Sequence, residues 1–392
     1  MTLDGISQAE VGERLRIARE AVAKTQADAA AEIDVARTTL VAIEKGQRRL
    51  RTAELQKLAH LYSVTVNALL RREAVHVDVV PRFRKMDASP ESAEESAAVL
   101  LGDLVKAEVE LENLLGIKRV QNYPPERPIM PGNIRAQAEN DAADLRHWLG
   151  LGAAPVRELV TLLELEMGVR IYVRPMNAKI SGLFAYDEMF GAFILLNAQH
   201  PLERRTQTLA HELGHLVSTR FMPDVLHENE PENSREEKYA NAFARAFLTP
   251  PRAVMQRFKE VTAGAERLTR RHIILLAHTF AVSREAMVRR LEELKLTKPG
   301  TWDWFDANGG ITNEQARQVL GELHIPTSET SGDSYSTTLR LDMLAEEAWR
   351  RELLSEEQLA RLLKTDRVEL RQKLDRLSIE GSEAHELPEL PE

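Results

Sequence analysis

The sequence predicts a mainly α protein with one small α+β domain, an all-α N-terminal domain and a helical C-terminal module. Three observations carry this. Apolar residues recur at three- and four-residue spacing through most of the 392-residue chain, the period of a helix with one buried face. Strand-like runs are short and confined to residues 169–196. Segments rich in Pro or Gly then part the helical stretches into groups, and the length suits two or three domains.

In chain order, residues 10–70 read as short helices broken near Lys24, at Ile33, Asp34 and Val35, and at Gly46. They make an N-terminal domain over 8–72. Residues 86–117 read as a longer helix with Leu100, Leu101, Leu104, Leu111, Leu114 and Leu115 on one face. That stripe covers about two heptads and either packs against its own chain or forms the seam of a homodimer. The run NYPPERPIMPGN (122–133) has four prolines and a glycine, which bars regular structure. Residues 73–135 are therefore expected to be a helical linker.

Helical spacing resumes at 136–149 and 154–167, followed by strands at 169–173 and 191–196 and a third at 180–185, bent at Gly182. A helix begins near 202–206. The acidic, proline-bearing run 223–235 reads as a loop, and 236–248 as a helix halted by Thr249-Pro250-Pro251. Residues 273–294 read as two helices broken around 281–283, either a second helix-turn-helix or a pair packed on the core. The α+β domain thus spans 136–296. Residues 297–392 complete the chain: 300–338 is rich in Gly, Ser and Thr and reads as partly irregular, and 339–377 as helical. The tail 380–392, with five Glu and no Lys or Arg, reads as disordered.

The composition is 43% hydrophobic, and no run approaches the roughly eighteen apolar residues of a membrane span. The N-terminus lacks the layout of a signal peptide. Cytoplasmic localisation is expected, with no membrane partner. With no cysteine, disulfides and thiolate metal sites are excluded, and any metal must be held by His, Asp or Glu. The formal charge of −9 is uneven: residues 1–72 carry twelve Lys or Arg against nine Asp or Glu. Either the N-terminal part meets something anionic or this is ordinary solvated surface.

The chemistry is concentrated in TLAHELGHLVS (208–218). His211 and His215, four residues apart, differ by about 40° around a helix and roughly 6 Å along it, so two imidazole nitrogens can meet at one ion. Glu212 lies on the adjoining flank, where a carboxylate can take a proton from water activated by zinc. A catalytic zinc commonly takes three protein ligands. Downstream, EEKYANAFARAFLTP (236–250) offers Glu237, 22 positions after His215, with Asn241 one turn on. Glu237 completes a His-His-Glu set with Asn241 orienting a ligand, or else it is a solvated acid at a helix start. Tyr239 is a candidate second donor to a developing oxyanion, or core.

Residues 136–294 resemble an ImmA/IrrE metallopeptidase domain, carried in order by ISG (180–182), GAFILLN (191–197), RRTQTLAHELGH (204–215), E-x-x-A-N with F-A (237–244), L-T-P (248–250) and VSREAMVRRL (282–291). The resemblance implies a zincin-like fold binding Zn2+, with His211, His215 and Glu237 as ligands and Glu212 as catalytic base. Residues 11–70, with GERLRIARE, TQADAAAEIDVARTTLVAIEKGQRR and LQKLAHLYSVTVNALL, are similar to the Cro/CI-type (XRE) helix-turn-helix domain. That implies double-stranded DNA as partner and residues 36–44 as recognition helix. Gln26, Arg37, Thr38 and Thr39 are then candidate DNA contacts, and Lys45, Arg48 and Arg49 candidate phosphate contacts. Asp34 departs from the glycine such domains commonly carry in the turn, but Asp tolerates a left-handed backbone.

Two functions are expected from this combination. One is a DNA-binding transcriptional regulator with a zinc endopeptidase that cleaves a protein such as a repressor or antitoxin-like regulator. The other is a non-catalytic regulator or antitoxin-like autorepressor that uses the zincin fold as a sensor. The intact Glu212 favours the first.

Overall fold

The computed structural model describes residues 7–22, 24–62, 64, 66–70, 93–222, 224–227, 234–321 and 339–377. In chain order these form α1 (Gln8–Ala21), α2 (Gln26–Glu32), α3 (Arg37–Glu44), α4 (Thr52–Tyr62), α5 (Val66–Leu70), α6 (Ala93–Leu115) and α7 (Ile134–Trp148). After α8 (Leu159–Leu162), which widens into a π-turn over Leu163–Met167, come β1 (Arg170–Arg174), β2 (Ile180–Asp187) and β3 (Gly191–Asn197). Then follow α9 (Leu202–Ser218), β4 (Asp224–His227), α10 (Arg235–Leu248), α11 (Pro251–Val261), α12 (Arg270–Phe280) and α13 (Arg284–Glu293). Last are α14 (Thr301–Ala307), α15 (Asn313–Leu320), α16 (Leu339–Arg350), α17 (Glu356–Leu362) and α18 (Arg367–Leu377). The mainly α class with a small mixed sheet is as the sequence predicts.

The chain divides into two compact units that interleave along the sequence. The first comprises residues 1–77, 103–118 and 340–392. Its N-terminal helices begin where short polar side chains satisfy free amides: Ser7 with Glu10, and Thr25 with Asp28, form capping boxes, each cap stabilising by about 1 kcal/mol. Leu15, Leu40 and Leu58 are fully buried at the centre of this small core. The turn between α2 and α3 places Asp34 at φ 58°, the left-handed conformation expected there, and Gly46 after α3 has φ 65°. Beneath α1, Arg19 forks onto Glu44 at 2.7 and 3.2 Å. The same unit holds the C-terminal part of α6 and helices α16 to α18, where Arg340 pairs with Glu108 and Glu112, and Lys364 with Asp103. Leu101, Leu104 and Leu111 of the α6 stripe are fully buried within the chain, in accord with packing against it.

The second unit comprises residues 78–102 and 119–339. Its four-stranded sheet has the order β1-β3-β2-β4; β1 runs parallel to β3, and β2 antiparallel to both neighbours. Every residue of β1 and β3 is buried, including Arg170 and Arg174 at the ends of β1. Helix α9 packs on β2 and β3, and α10 packs against both α7 and α9. Gly214 makes the α9–α10 approach possible: a Cβ there would stand 3.0 Å from Ala240 Cα.

Several boundaries differ from the sequence reading. Residues 297–321 belong to this unit rather than to a C-terminal module. They form two helices, α15 opening with a Thr312–Gln315 capping box, and Phe305 and Ile311 are buried in its core. The proline-rich run 122–133 is irregular as expected, but residues 119–135 are a strap rather than a linker. Arg119 donates to the carbonyls of Gly168 and Val169 at 2.8 and 2.7 Å, and the Arg127 amide donates to Val217 at 2.7 Å. Residues 154–158 are not helical; Pro155 disfavours helix at the position before it. Within 223–235, expected to be a loop, residues 224–227 form β4, because the free edge of β2 supplies partners for their backbone groups. The helix pair α12–α13 lies on the core, with Ile273, Leu276, Phe280, Met287, Val288 and Leu291 buried. That burial supports the packed alternative over a second DNA reader. Residues 86–92, 322–338 and the acidic tail lie outside the described residues.

Candidate metal centre

Helix α9 presents the HELGH segment almost wholly inside the unit, with every residue from Thr208 to Ser218 buried. His211 and His215 are 1% and 3% exposed at the side chain, and Glu212 is 0% exposed as a residue. The two Nε2 atoms stand 3.1 Å apart. Glu237, in the first turn of α10, brings Oε2 to 3.4 Å from His211 Nε2 and Oε1 to 3.4 Å from His215 Nε2. Donors about 2.0–2.1 Å from a tetrahedral zinc lie roughly 3.3–3.4 Å from one another. Two nitrogens 3.1 Å apart, each 3.4 Å from one oxygen of the same carboxylate, are spaced to share such an ion. The three residues named as ligands from the sequence converge on one point.

The far nitrogens are fixed as well. His211 Nδ1 lies 3.0 Å from Asn241 Oδ1, so its N–H donates there and the Nε2 lone pair faces His215 and Glu237. Asn241, expected to orient a ligand, is thus placed against the far nitrogen of His211. His215 Nδ1 is 3.0 Å from Thr219 Oγ1, a partner the sequence reading missed although Thr219 is one helical turn beyond His215. Phe184 of β2 stacks on the His215 ring with centroids 6.5 Å apart. A second omission is Asp224. Its Oδ2 lies 3.6 Å from His215 Nε2 and 3.9 Å from His211 Nε2, and the donor atoms of all four residues fall within 4.8 Å of one another. No spacing rule would have found Asp224, because it arrives through the pairing of β4 with β2.

Glu212 stands apart from these donors. Both its carboxylate oxygens are buried without a hydrogen-bond partner. A Cβ at Gly182 of β2 would come within 3.2 Å of Glu212 Oε1 and 2.6 Å of Thr208 Cγ2, so the strand backbone passes close over the base. Burial, reinforced by the charges of Asp224 and Glu237, raises the Glu212 carboxyl well above the usual carboxylate range. Burial pushes His211 down to about 3, with His215 adding to the effect. Burial acts the same way on His215, but Asp224 and Glu237 outweigh it and the value rises. Glu237 is held low: its burial is outweighed by His215 and His211. Two imidazoles and two carboxylates facing one point, beside a third carboxyl with no partner, make a donor set suited to a divalent cation. Tyr239 is not part of it. Its buried hydroxyl donates to Asp141 at 2.8 Å, so it is core and not an oxyanion donor.

In the first unit, Arg37, Thr38 and Thr39 lie in the first turn of α3; Arg37 and Thr38 are exposed and Thr39 is half-buried. Lys45 and Arg49 are exposed. Gln26 donates through Nε2 to Glu44 at 2.8 Å, and Arg48 forks onto Glu54 with two bonds of 2.9 Å.

The site and fold define a chain with two working parts, a helix-turn-helix and a metallopeptidase-like domain, and comparison with known families gives the same division. Residues 165–292 match a peptidase-family model described as the IrrE N-terminal-like domain, and residues 15–69 match the model described as helix-turn-helix. The first family implies a metal, typically zinc, and the second supports DNA binding. No curated protein matches the chain. Among solved structures, ComR from Streptococcus suis aligns over 95% of this chain and 96% of its own at 10% identity, with a TM-score of 0.16, too loose to bear on fold or function. No described helix is long and apolar enough to cross a membrane.

Proposed function

We propose that the chain is a DNA-binding transcriptional regulator whose IrrE N-terminal-like domain is a zinc endopeptidase acting on a regulatory protein such as a repressor or an antitoxin-like regulator. The observation that carries this reading is Glu212: a fully buried carboxyl with neither oxygen hydrogen-bonded, beside three converging donors. Burying such a group unpartnered costs on the order of 1–3 kcal/mol or more, a cost that a purely structural metal site has no reason to carry.

His211, His215 and Glu237 would hold the ion, with Asn241 and Thr219 keeping the imidazoles in the tautomer that offers Nε2. Zinc, when bound, supplies a Lewis acid that polarises a peptide carbonyl and lowers the pKa of water. Glu212 accepts a proton on one carboxylate oxygen and returns it to the departing amine.

On the DNA side, α3 enters the major groove with Arg37, Thr38 and Thr39 leading, while Lys45 and Arg49 reach phosphates. Gln26 and Arg48 contribute only if they exchange their partners Glu44 and Glu54 for DNA. The protein acts in the cytoplasm, and a homodimer would match a two-fold operator. One observation favours the second reading, a non-catalytic regulator or antitoxin-like autorepressor: His211, Glu212 and His215 are almost entirely closed to solvent. Mapping new protein N-termini in cells carrying the wild type or Glu212→Gln separates the two. A regulator cut by the wild type and intact with the variant is expected; identical N-termini in both favour the sensor.

A further inference from the structure

Asp224 brings a fourth donor group to the His211, His215 and Glu237 set from a different element. Its Oδ2 lies 3.6 Å from His215 Nε2 and 3.9 Å from His211 Nε2, and its side chain is 15% exposed. The position follows from strand register. Asp224 pairs directly with Phe184 on β2, and paired residues project to the same face of a sheet. Phe184 stacks on His215. A side chain beside Phe184 on that face is therefore delivered to the imidazole.

The backbone of β4 matters as much as its carboxylate. β4 is the terminal strand of the order β1-β3-β2-β4, and it occupies the edge of β2. β2 is also the strand whose Gly182 lies against Glu212. An extended peptide gains main-chain hydrogen bonds by adding to such an edge. A peptide lying along β2 there, with an oxygen directed at the two Nε2 atoms, has the placement that β4 already has.

Resting on the zinc reading above, we propose that β4 is a built-in substrate mimic: Asp224 is a fourth protein ligand of the resting centre, and it must withdraw before a substrate carbonyl can reach the ion. This explains why a site equipped with a base is closed to solvent. It also makes the sensor and peptidase readings two states of one device, with release of β4 as the switch between them.

The test uses the full chain loaded with cobalt(II), whose visible spectrum reports its ligands, and acetohydroxamate as a small probe for an open coordination position. In the wild type the spectrum is expected to stay unchanged on adding acetohydroxamate. Asp224→Ala and Asp224→Asn should each keep one metal per chain but hold it roughly tenfold or more weakly by chelator competition, at least what losing an outer partner costs. Their spectra should shift with acetohydroxamate. The Asn variant preserves the side chain's shape and guards against a folding defect in the Ala variant. Equal affinity and equal hydroxamate response in all three proteins would overturn the proposal and leave the zinc centre standing. A wild type that takes up no stoichiometric metal would overturn both.

Discussion

Thr219 and Asn241 each hold the far nitrogen of one imidazole, at 3.0 Å in both cases. Neither would touch the metal, yet each sets which nitrogen carries the proton and which offers a lone pair. Replacing either with alanine is expected to weaken zinc binding by about 10- to 100-fold while leaving the fold intact, as chelator competition and circular dichroism would show. Unchanged affinity in both variants would mean that the imidazoles are oriented by packing alone, through contacts such as Phe184 on His215. Asn241 was legible in the sequence because it shares a helix face with Glu237. Thr219 has the same four-residue relation to His215 but falls just past the motif. Asp224 was not legible at all: nine residues beyond His215, in an acidic run, nothing local distinguishes it from a solvated acid.

At the scale of elements, local signals served well where they were local. The breaks at Asp34 and Gly46 rest on residues that tolerate a left-handed backbone, at φ 58° and 65°, and the three strands of the inner sheet on short apolar runs. β4 escaped because four residues gain strand geometry only from the edge of β2, a long-range partner. The cations that follow α3 show the same limit in another form. The sequence offers Arg48 and Arg49 as equivalent cations, but Arg48 is bound to Glu54 while Arg49 is exposed. Alanine at Arg37 or Arg49 is therefore expected to weaken DNA binding and flatten its salt dependence by about one ion, with thermal stability unchanged. Alanine at Arg48 is expected to lower stability, because it leaves the largely buried Glu54 carboxylate without its fork. Equal effects of Arg48→Ala and Arg49→Ala on both measurements would contradict that division.

For the whole molecule, the sequence anticipates four consecutive segments, whereas the chain folds as two units built from interleaved stretches. Residues 340–377 close a unit begun by the helix-turn-helix, and 119–135 strap onto the metal-bearing one. Hydrophobic period reports that a helix has a buried face, not which distant face covers it, so the grouping was beyond a linear reading. What joins the scales is the division of labour we propose among carboxylates at one buried point: Glu237 as ligand, Glu212 as proton carrier. The zinc content of the purified full chain, measured for the wild type, Glu212→Gln and Glu237→Gln, tests this most directly. One zinc per chain in the wild type and in Glu212→Gln, with far less than one in Glu237→Gln, is the expected result. Zinc retained by Glu237→Gln, or lost from Glu212→Gln, would contradict it.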